Sequence, residues 1–378
     1  MDGAALTEVR QQLALLGRPA SAGDIAKVLQ RSGRFVSDQA VWAIQSEIDR
    51  GTVGIGPLEP LLARPGLTDI LVNGPDQVYV DCGAGLERVD LDVGSPAELR
   101  ALAVRLAASA GRRLDDGSPF VDARLTNGLR FHAILAGIAT PGTCLSFRVP
   151  ARRVVELEEW VEQGALHRQA AAWLARLVER RTAFLVSGGT GSGKTTLLGS
   201  LLSRVPDDER LVIVEDSREL APRHPHVVAL EARPANAEGA GLVTLTDLVR
   251  QALRMRPDRL IVGEVRGAEL RDFLQAMNTG HEGGCGTIHA NSAGDVLARL
   301  EALAALAGLG RSAVHAQIRS ALSVLVHLSR VEGRRFVSEI ALLVPQSDGL
   351  LRVATAWRFS PGSAEPGEAS RALADLLA

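Results

Sequence analysis

The sequence predicts an α/β protein in which a smaller α/β region precedes a larger region built on a parallel sheet. Three observations support this prediction. The 378 residues correspond to two or three domains. From Thr182 onward, short apolar segments alternate with helical segments, which is typical of a parallel sheet covered on both faces. Before Pro150, turn residues such as Asn127-Gly128 separate short strand-like segments and predict hairpins.

The composition is that of a globular protein with a real core, since 46% of the residues are hydrophobic and 23% are charged. A net charge of −2 and an aromatic content of 3% argue against direct nucleic-acid binding, which needs a basic surface or stacking rings. The three cysteines form no CxxC pair, so neither a disulfide framework nor a zinc site is predicted. The sequence shows no signal peptide and no apolar run long enough for a transmembrane helix. We expect a reduced, cytoplasmic protein that contacts a membrane only through a partner.

The first half of the chain divides into three predicted parts. Residues 1–55 are predicted to form a helical N-terminal extension, because leucines recur there at loose helical spacing. The smaller domain is predicted at 56–150, and linker helices at 151–180, with acids early and arginines late. Within the smaller domain, the predicted helix is 97–110, and the predicted strands are 68–72, 77–81, 120–125, 130–134 and 143–149.

The larger domain is predicted at 181–345, and 346–378 is predicted to be a C-terminal tail that ends in a short helix. Its predicted strands are 183–187, 211–215, 260–263 and 286–289, with helices at 194–204, 244–255, 268–278 and 293–307. A hairpin is predicted to close the domain, with strands at 324–328 and 335–344.

A glycine-rich loop is the strongest motif in the sequence. It matches G-x-x-x-x-G-K-[ST] and consists of Gly188, Gly189, Thr190, Gly191, Ser192, Gly193, Lys194 and Thr195. The loop follows a predicted strand and opens a helix that continues with Thr196, which is the context that a phosphate-binding loop requires. In such a loop the lysine reaches the β- and γ-phosphates and the threonine hydroxyl binds Mg²⁺. The sequence has no N-K-x-D motif for guanine, so ATP with Mg²⁺ is the predicted ligand.

Lys194 is also one of only two lysines in the chain, whereas arginine is abundant. A lysine that persists in such a composition indicates a need for a compact ammonium group rather than a planar guanidinium.

Two acidic residues, Glu215 and Glu264, follow predicted buried strands. The carboxyl ends of strands line the ligand crevice of an open α/β sheet, so we expect both side chains to point at the phosphates. Carboxylates at that position serve the metal and the attacking water. The alternative is that one of them only caps a helix or pairs with an arginine.

Two histidines bracket a further predicted strand in the segments Thr279-Gly280-His281 and Thr287-Ile288-His289. A histidine at a strand end beside a phosphate loop can donate a hydrogen bond to a γ-phosphate oxygen, and His289 is the stronger candidate. The glycine-rich segment between them has no metal-ligand spacing, so a metal site is not predicted there. A purely structural role is the alternative for either histidine.

Three arginines of the smaller domain, Arg124, Arg130 and Arg148, lie within or beside predicted strands. A charged side chain at such a position is expected to have a binding partner. Two explanations remain open: the arginines act on a ligand, or they form salt bridges with neighbouring acids such as Asp115, Asp116 or Asp122.

The motifs together resemble the secretion-superfamily ATPases of type II and type IV secretion. The segments RLVIVEDSREL, RLIVGEVRG, NTGHEGGCGTIHANS, RLDDGSPFVDARLTNGLRFHAIL and IGPLEPLLARPGLTDILVNGPDQVYVD carry the resemblance, which covers roughly residues 55–330. It is strongest to the branch of tight-adherence (Flp-type) pilus assembly and conjugation-associated ATPases. Residues 1–50 fit the family only loosely, and Cys285-Gly286 departs from the expected residue types.

The resemblance implies a RecA-like ATPase domain preceded by a PAS-like α/β domain, in a protein that forms hexameric rings. It implies that Glu215 is the base that polarises water, that Glu264 lies near Mg²⁺, and that His281 and His289 form a histidine box. Arginines of the N-terminal domain, Arg130 and Arg148 foremost, are implied to reach the phosphates.

The function predicted from this resemblance is a motor ATPase that acts on an inner-membrane platform protein of a pilus or secretion system, peripheral to the inner face of the cell membrane. Two alternatives remain: a nucleic-acid translocase on the same core, and a non-catalytic scaffolding ring. The charge balance counts against the first and the complete motif set against the second.

Overall fold

The structure of the protein is a computed structural model that describes residues 26–28, 54–83, 85–150, 154–235, 239–280, 282–331 and 333–378. Contacts divide the chain into two compact units, Met1–Pro150 and Ala151–Ala378. Most of the helical extension predicted at 1–55 lies outside the described residues, although 26–28 are helical. Among the described residues, no helix has both the length and the apolar character that a membrane crossing requires.

The first unit contains a six-stranded sheet in which every pair of neighbours is antiparallel. Its strands are β1 (Asp69–Val72), β2 (Val78–Asp81), β3 (Leu86–Val89), β4 (Phe120–Arg124), β5 (Arg130–Ile134) and β6 (Cys144–Arg148). Their order across the sheet is β3-β2-β1-β6-β5-β4. The sheet shares one apolar core with helix α1 (Pro96–Ser109), which begins at a capping box formed by Ser95 and Glu98.

The second unit contains a nine-stranded sheet with the order β15-β14-β13-β12-β7-β11-β10-β8-β9. Its strands are β7 (Phe184–Gly188), β8 (Leu211–Glu215), β9 (Val227–Glu231), β10 (Arg259–Val262), β11 (Cys285–His289), β12 (Val324–Val331), β13 (Arg334–Pro345), β14 (Leu351–Ser360) and β15 (Ser363–Pro366). Six neighbouring strands, from β12 to β9, are parallel, and β13 to β15 extend the sheet in antiparallel fashion.

Helices cover both faces of this sheet, as the apolar strands predict. They are α2 (Leu157–Glu162), α3 (Arg168–Glu179), α4 (Lys194–Leu202), α5 (Leu245–Ala252), α6 (Glu269–Met277), α7 (Asp295–Leu306), α8 (Arg311–Ala321) and α9 (Ser370–Leu376). One core cluster contains residues of α2, α3, α4 and α9, and a second contains residues of α5 to α8. Every residue of β7, β8 and β10 is buried between these layers.

The structure differs from the sequence prediction chiefly at the ends of the second unit. Residues 346–378, predicted as a tail, contribute β14, β15 and α9, and β14 pairs with β13 through much of its length. The helices predicted as linkers at 151–180 share a core with the sheet. Strands β3 and β9 and helix α8 also went unpredicted.

Candidate functional site

The sheet order brings the predicted motifs of the second unit to one edge. Strands β7, β11, β10 and β8 are consecutive parallel neighbours, so their carboxyl ends lie side by side. His289, the last residue of β11, is the register partner of Gly188 at the end of β7. Glu215 ends β8, and Glu264 follows β10 by two residues. This edge is where an open α/β sheet binds its ligands.

The phosphate loop runs from the end of β7 to the first residue of α4 and depends on its glycines. Gly191 and Gly193 have φ values of +67° and +99°, which side chains with a Cβ rarely adopt. A Cβ added to Gly188 would lie 2.6 Å from the carbonyl oxygen of Leu328. The loop therefore curls with its backbone close to β12, in the conformation that the motif predicts.

Lys194 turns back over its own loop. Its Nζ donates hydrogen bonds to the carbonyl oxygens of Gly188 at 2.9 Å and Gly189 at 2.8 Å, and only 9% of the residue is exposed. Burial lowers the pKa of this ammonium, while the carboxylates of Glu264 and Glu219 act in the opposite direction. The ammonium group is thus held inside the loop by uncharged carbonyl oxygens, close to carboxylates at the same edge of the sheet.

The loop also fits a phosphate group chemically. The side-chain oxygen of Ser192 is buried and has no hydrogen-bond partner among the described residues, although a buried hydroxyl normally has one. Thr190 and Gly191 are exposed at the tip of the loop, and Thr196 is half-buried in the first turn of α4. Left-handed glycines, an ammonium and an unsatisfied hydroxyl at a helix N-terminus are features that suit a bound anion.

Glu215 is almost fully buried beside the loop, with 4% of its surface exposed. Its Oε1 accepts hydrogen bonds from the backbone N–H groups of Glu219 at 3.1 Å and Leu220 at 3.0 Å. Its Oε2 has no partner within the described part of the chain. Burial raises the pKa of Glu215 to about 7, although the two backbone donors act against this rise. One carboxylate oxygen therefore binds the segment that follows β8, where no helix begins, and the other stays available.

Gly263 explains how Glu215 reaches across the sheet edge. A Cβ added to Gly263 would lie 2.5 Å from the Cγ of Glu215, so a larger residue at the end of β10 would displace the glutamate. The glycine in the segment LIVGEVRG thus makes room for a side chain from the neighbouring strand.

Glu264 lies in a basic environment. Nη2 of Arg266 donates to its Oε2 at 2.7 Å, and Arg266 also lies 3.9 Å from Asp216. Burial raises the pKa of Glu264, but the hydrogen bond from Arg266 and the charges of Arg266, Lys194 and His289 outweigh it, so the pKa lies below its usual range. Glu264 is thus a stable carboxylate, and the arginine pairing that we left open as an alternative is present.

Oxygen donors suited to Mg²⁺ gather at the start of α4. The hydroxyl of Thr195 lies 3.5 Å from Oε2 of Glu219, and Glu264 is close enough to influence the pKa of Lys194. Mg²⁺ is commonly held by one or two protein oxygens together with substrate phosphates, so this donor set fits the ion. Among the described residues, no cluster of three or more His, Cys, Asp or Glu side chains is arranged to hold a metal.

The two predicted histidines are placed differently. His289 is half-buried beside Gly188 and contributes to the low pKa of Glu264, so it belongs to this edge. His281 lies outside the described residues. Thr287, which precedes His289 on β11, donates to the carbonyl oxygen of Gly263 at 2.6 Å and ties β11 to the end of β10.

The three predicted arginines of the first unit form a row. Arg124 is the register partner of Arg130 across β4 and β5, and Arg130 is the partner of Arg148 across β5 and β6. Arg148 lies 3.7 Å from Asp69, which is its own register partner on β1. Like charges directly opposite one another destabilise a sheet, and the carboxylate of Asp69 offsets part of this repulsion at Arg148.

The acids that we considered as salt-bridge partners for these arginines have partners of their own. Asp115 pairs with Arg113, Asp116 with Arg100, and Asp122 with His132.

A buried histidine beside the phosphate loop was not predicted. Nδ1 of His327 lies 2.9 Å from the Ser187 hydroxyl, and both residues are buried. Burial lowers the pKa of His327, and Glu339 and the backbone of Asn291 act against this. Glu219 and Arg266, which contact Thr195 and Glu264, were also missed as site residues. Arg266 lies two residues after Glu264 in the segment LIVGEVRG, so its proximity to Glu264 in the sequence was the available signal.

Comparison with known proteins identifies relatives that cover most of the chain. The family described as "Type II/IV secretion system protein" matches residues 52–351. Rv3659c, a candidate conjugal transfer protein of Mycobacterium tuberculosis (strain H37Rv), is 51% identical over 350 residues, which cover 91% of this chain and 98% of that protein. The type IV secretion system protein PtlH of Bordetella pertussis is 34% identical over 304 residues, covering 73% of this chain and 89% of PtlH.

A solved structure shares the fold. The pilus retraction motor PilT with bound ADP matches with a TM-score of 0.52 and 20% identity, over 77% of this chain and 78% of PilT. The predicted α/β fold, a RecA-like domain that follows an N-terminal domain, is thereby confirmed, whereas the PAS-like character of the N-terminal domain stays a prediction. The family match covers most of the chain. The chain therefore belongs to the type II/IV secretion system protein family, within the secretion-superfamily ATPases.

Proposed function

We propose that the protein is an ATPase that works as a homo-hexameric ring and drives pilus assembly or protein secretion through an inner-membrane platform protein. The observation that carries the proposal is the convergence of Lys194, Glu215, Glu264 and His289 at one sheet edge around the phosphate loop. The tight-adherence and conjugation-associated branch is the proposed affiliation within the family.

In this proposal each residue has a distinct role. The backbone of Gly188–Thr195, with Thr196, holds ATP, and Lys194 exchanges its loop carbonyls for phosphate oxygens. Thr195 and Glu264 hold Mg²⁺, which neutralises charge on the phosphates when bound. His289 donates a hydrogen bond to a terminal phosphate oxygen.

Glu215 is the proposed general base. Its free Oε2 accepts a proton from the attacking water, and a pKa of about 7 suits a base that works near neutral pH. Arg124, Arg130 and Arg148 are proposed to bind phosphate oxygens, and His281 completes the histidine box. Arginines that contact a transferring phosphate raise the rate about 10³–10⁵-fold in other P-loop enzymes.

We further propose that the protein acts in the cytoplasm at the inner face of the membrane and reaches the membrane only through its platform partner. The cargo is then a pilin-like or secreted protein. Direct nucleic-acid binding is not part of the proposal, because the net charge is −2 and phosphate neutralisation requires an excess of basic groups.

Steady-state ATP hydrolysis over a range of protein concentrations, with mass determination on the same samples, tests this function. We expect Mg²⁺-dependent turnover that rises as hexamers assemble. Lys194→Ala abolishes it, because the loop loses its ammonium. Glu215→Gln lowers kcat about 10²–10⁴-fold, because the amide cannot take a proton.

The alternatives give different results in the same experiment. A hexamer that binds ATP without turnover indicates a scaffolding ring. Turnover strongly stimulated by single-stranded DNA, with a steep salt dependence, indicates a translocase. A Glu215→Gln variant as fast as the parent contradicts the role of Glu215 while leaving the ATPase proposal in place.

A further inference from the structure

The hairpin of β12 and β13 places two arginines against the phosphate loop. Arg330 and Arg335 are register partners near its tip. Nη1 of Arg330 lies 3.6 Å from the point where a Cβ on Gly191 would stand. The Cδ of Arg335 lies 3.9 Å from the corresponding point on Gly193. The two side chains therefore border the loop at its tip and at the start of α4.

This pairing is unfavourable without a ligand. Like charges directly opposite one another destabilise an antiparallel pair. Within the described part of the chain, no carboxylate forms an ion pair with Arg330 or Arg335. Two exposed arginines elsewhere in the second unit, Arg250 and Arg352, do form such pairs, with Asp272 and Glu368. An anion between the hairpin and the loop would supply the missing negative charge.

A cavity of about 630 Å³ opens between these elements. Gly193 and Thr196 line it from the loop and α4, Arg335 and Phe336 from the hairpin, and Trp160 from α2. Trp160 is fixed there because its Nε1 donates to the Ser200 hydroxyl at 3.0 Å. The buried hydroxyl of Ser192, which has no partner among the described residues, lies between Gly191 and Gly193 in the same loop.

We propose that Arg330 and Arg335 bind the phosphate chain of the nucleotide from the hairpin side, opposite the backbone N–H groups of the loop. Arg330 acts at the loop tip and Arg335 at the start of α4, beside the cavity. Guanidinium groups suit this role because they donate several hydrogen bonds in a fixed plane to phosphate oxygens. The inference rests on the proposed function, since it requires that nucleotide binds at Gly188–Thr195.

Equilibrium binding of ADP and of inorganic pyrophosphate to the full-length chain tests the inference. Arg330→Met and Arg335→Met keep an unbranched apolar stem and remove the charge. We expect each variant to bind ADP about 10–100-fold more weakly, the range for one or two lost charge-assisted hydrogen bonds. Because the arginines are proposed to contact phosphates only, the loss for pyrophosphate has the same size.

Arg319→Met is the matched control, since Arg319 is an exposed arginine on α8 and its loss changes the net charge equally. We expect it to bind both probes like the parent. Thermal unfolding of all variants shows whether the fold is kept.

The outcomes separate this inference from the function on which it rests. A parent that binds neither ADP nor pyrophosphate overturns both. A parent that binds, with hairpin variants that bind equally well, overturns the hairpin role alone. Loss of ADP binding without loss of pyrophosphate binding also overturns it, because the arginines would then act on the ribose or base.

Discussion

Glu215 is a residue whose environment ties the stability of the protein to pH. Its pKa is about 7 in the folded chain against an ordinary value of 4.5. Between these pH values the unfolded chain has released the proton that the folded chain still holds, so stability falls as the pH rises. Glu215 therefore lowers the free energy of unfolding by about 3 kcal/mol as the pH rises from 4.5 to 7. Above that window its contribution is constant.

Glu215→Gln isolates this effect, because the amide does not titrate. Urea unfolding of parent and variant at pH 5, 6, 7 and 8 is the measurement. We expect the variant to gain stability relative to the parent as the pH rises to about 7, and the difference to level off beyond it. Parallel pH profiles for the two proteins would show that Glu215 titrates normally in the folded chain.

Among single residues, the sequence predicted those whose roles follow from a motif that is contiguous in the chain. Lys194 and Thr195 are recognisable because the loop, the preceding strand and the following helix are contiguous. His327 and Arg330 were not recognised, because their importance depends on β12 lying next to β7, and those strands are separated by more than a hundred residues. No spacing in the sequence encodes that adjacency.

At the scale of elements, Gly286 shows why a residue can depart from the family pattern without disturbing the site. It sits in β11 opposite Val262 of β10, and a Cβ there would lie 2.6 Å from the carbonyl oxygen of Val262. The two backbones are thus too close for a side chain. Gly286→Ala must push β10 and β11 apart, and overpacking of this kind costs about 1–3 kcal/mol.

Urea unfolding of Gly286→Ala, with Gly199→Ala beside it, measures this cost. A Cβ on Gly199 in α4 meets only a methyl group of Leu220 at 3.9 Å, which is ordinary contact. Alanine also has the higher helix propensity, by about 1 kcal/mol. We expect opposite signs: Gly286→Ala unfolds at lower urea and Gly199→Ala at equal or higher urea. Equal effects would contradict the close approach of the strands.

Elements with strong burial were predictable and edge elements were not. The predicted strands 130–134 and 211–215 are observed with the same bounds, because β5 alternates cleanly and β8 is a continuous apolar run. β9 and β15 lie at the edges of the sheet, have no fully buried residue, and β15 ends in a proline. Their extended conformation comes from pairing with a neighbour, which leaves little trace in the sequence.

At the scale of the whole molecule, the last 33 residues are part of the main sheet. Residues 346–378 bury Leu351, Ala356, Phe359 and Leu373 in the two cores of the second unit. A chain ending at Pro345 would leave the long edge of β13 unpaired and expose this apolar surface. We expect it to aggregate on expression, or to unfold at a much lower temperature than the parent.

Soluble yield and thermal unfolding of the truncated chain, compared with the full chain, test this expectation. A chain that ends at Leu377 is the control, since it removes only the exposed Ala378 and keeps the buried Leu377. A truncation at Pro345 that stayed soluble with an unchanged melting temperature would mean that 346–378 contributes nothing to the core.

The strand order itself could not be predicted from the sequence, because a parallel neighbour is chosen by packing on both faces rather than by the strand's own pattern.

Because the chain has only two lysines, Lys194 can serve as a chemical probe of the phosphate loop. Lys27 is exposed, whereas Lys194 is buried and its amine is held by two loop carbonyls. An amine-directed acylating reagent therefore has only these two lysine side chains to modify. The ratio of modification at Lys194 to that at Lys27, read by mass spectrometry of peptides, reports the state of the loop against an internal standard. The same protein thus carries both the probe and its reference, without any engineered residue.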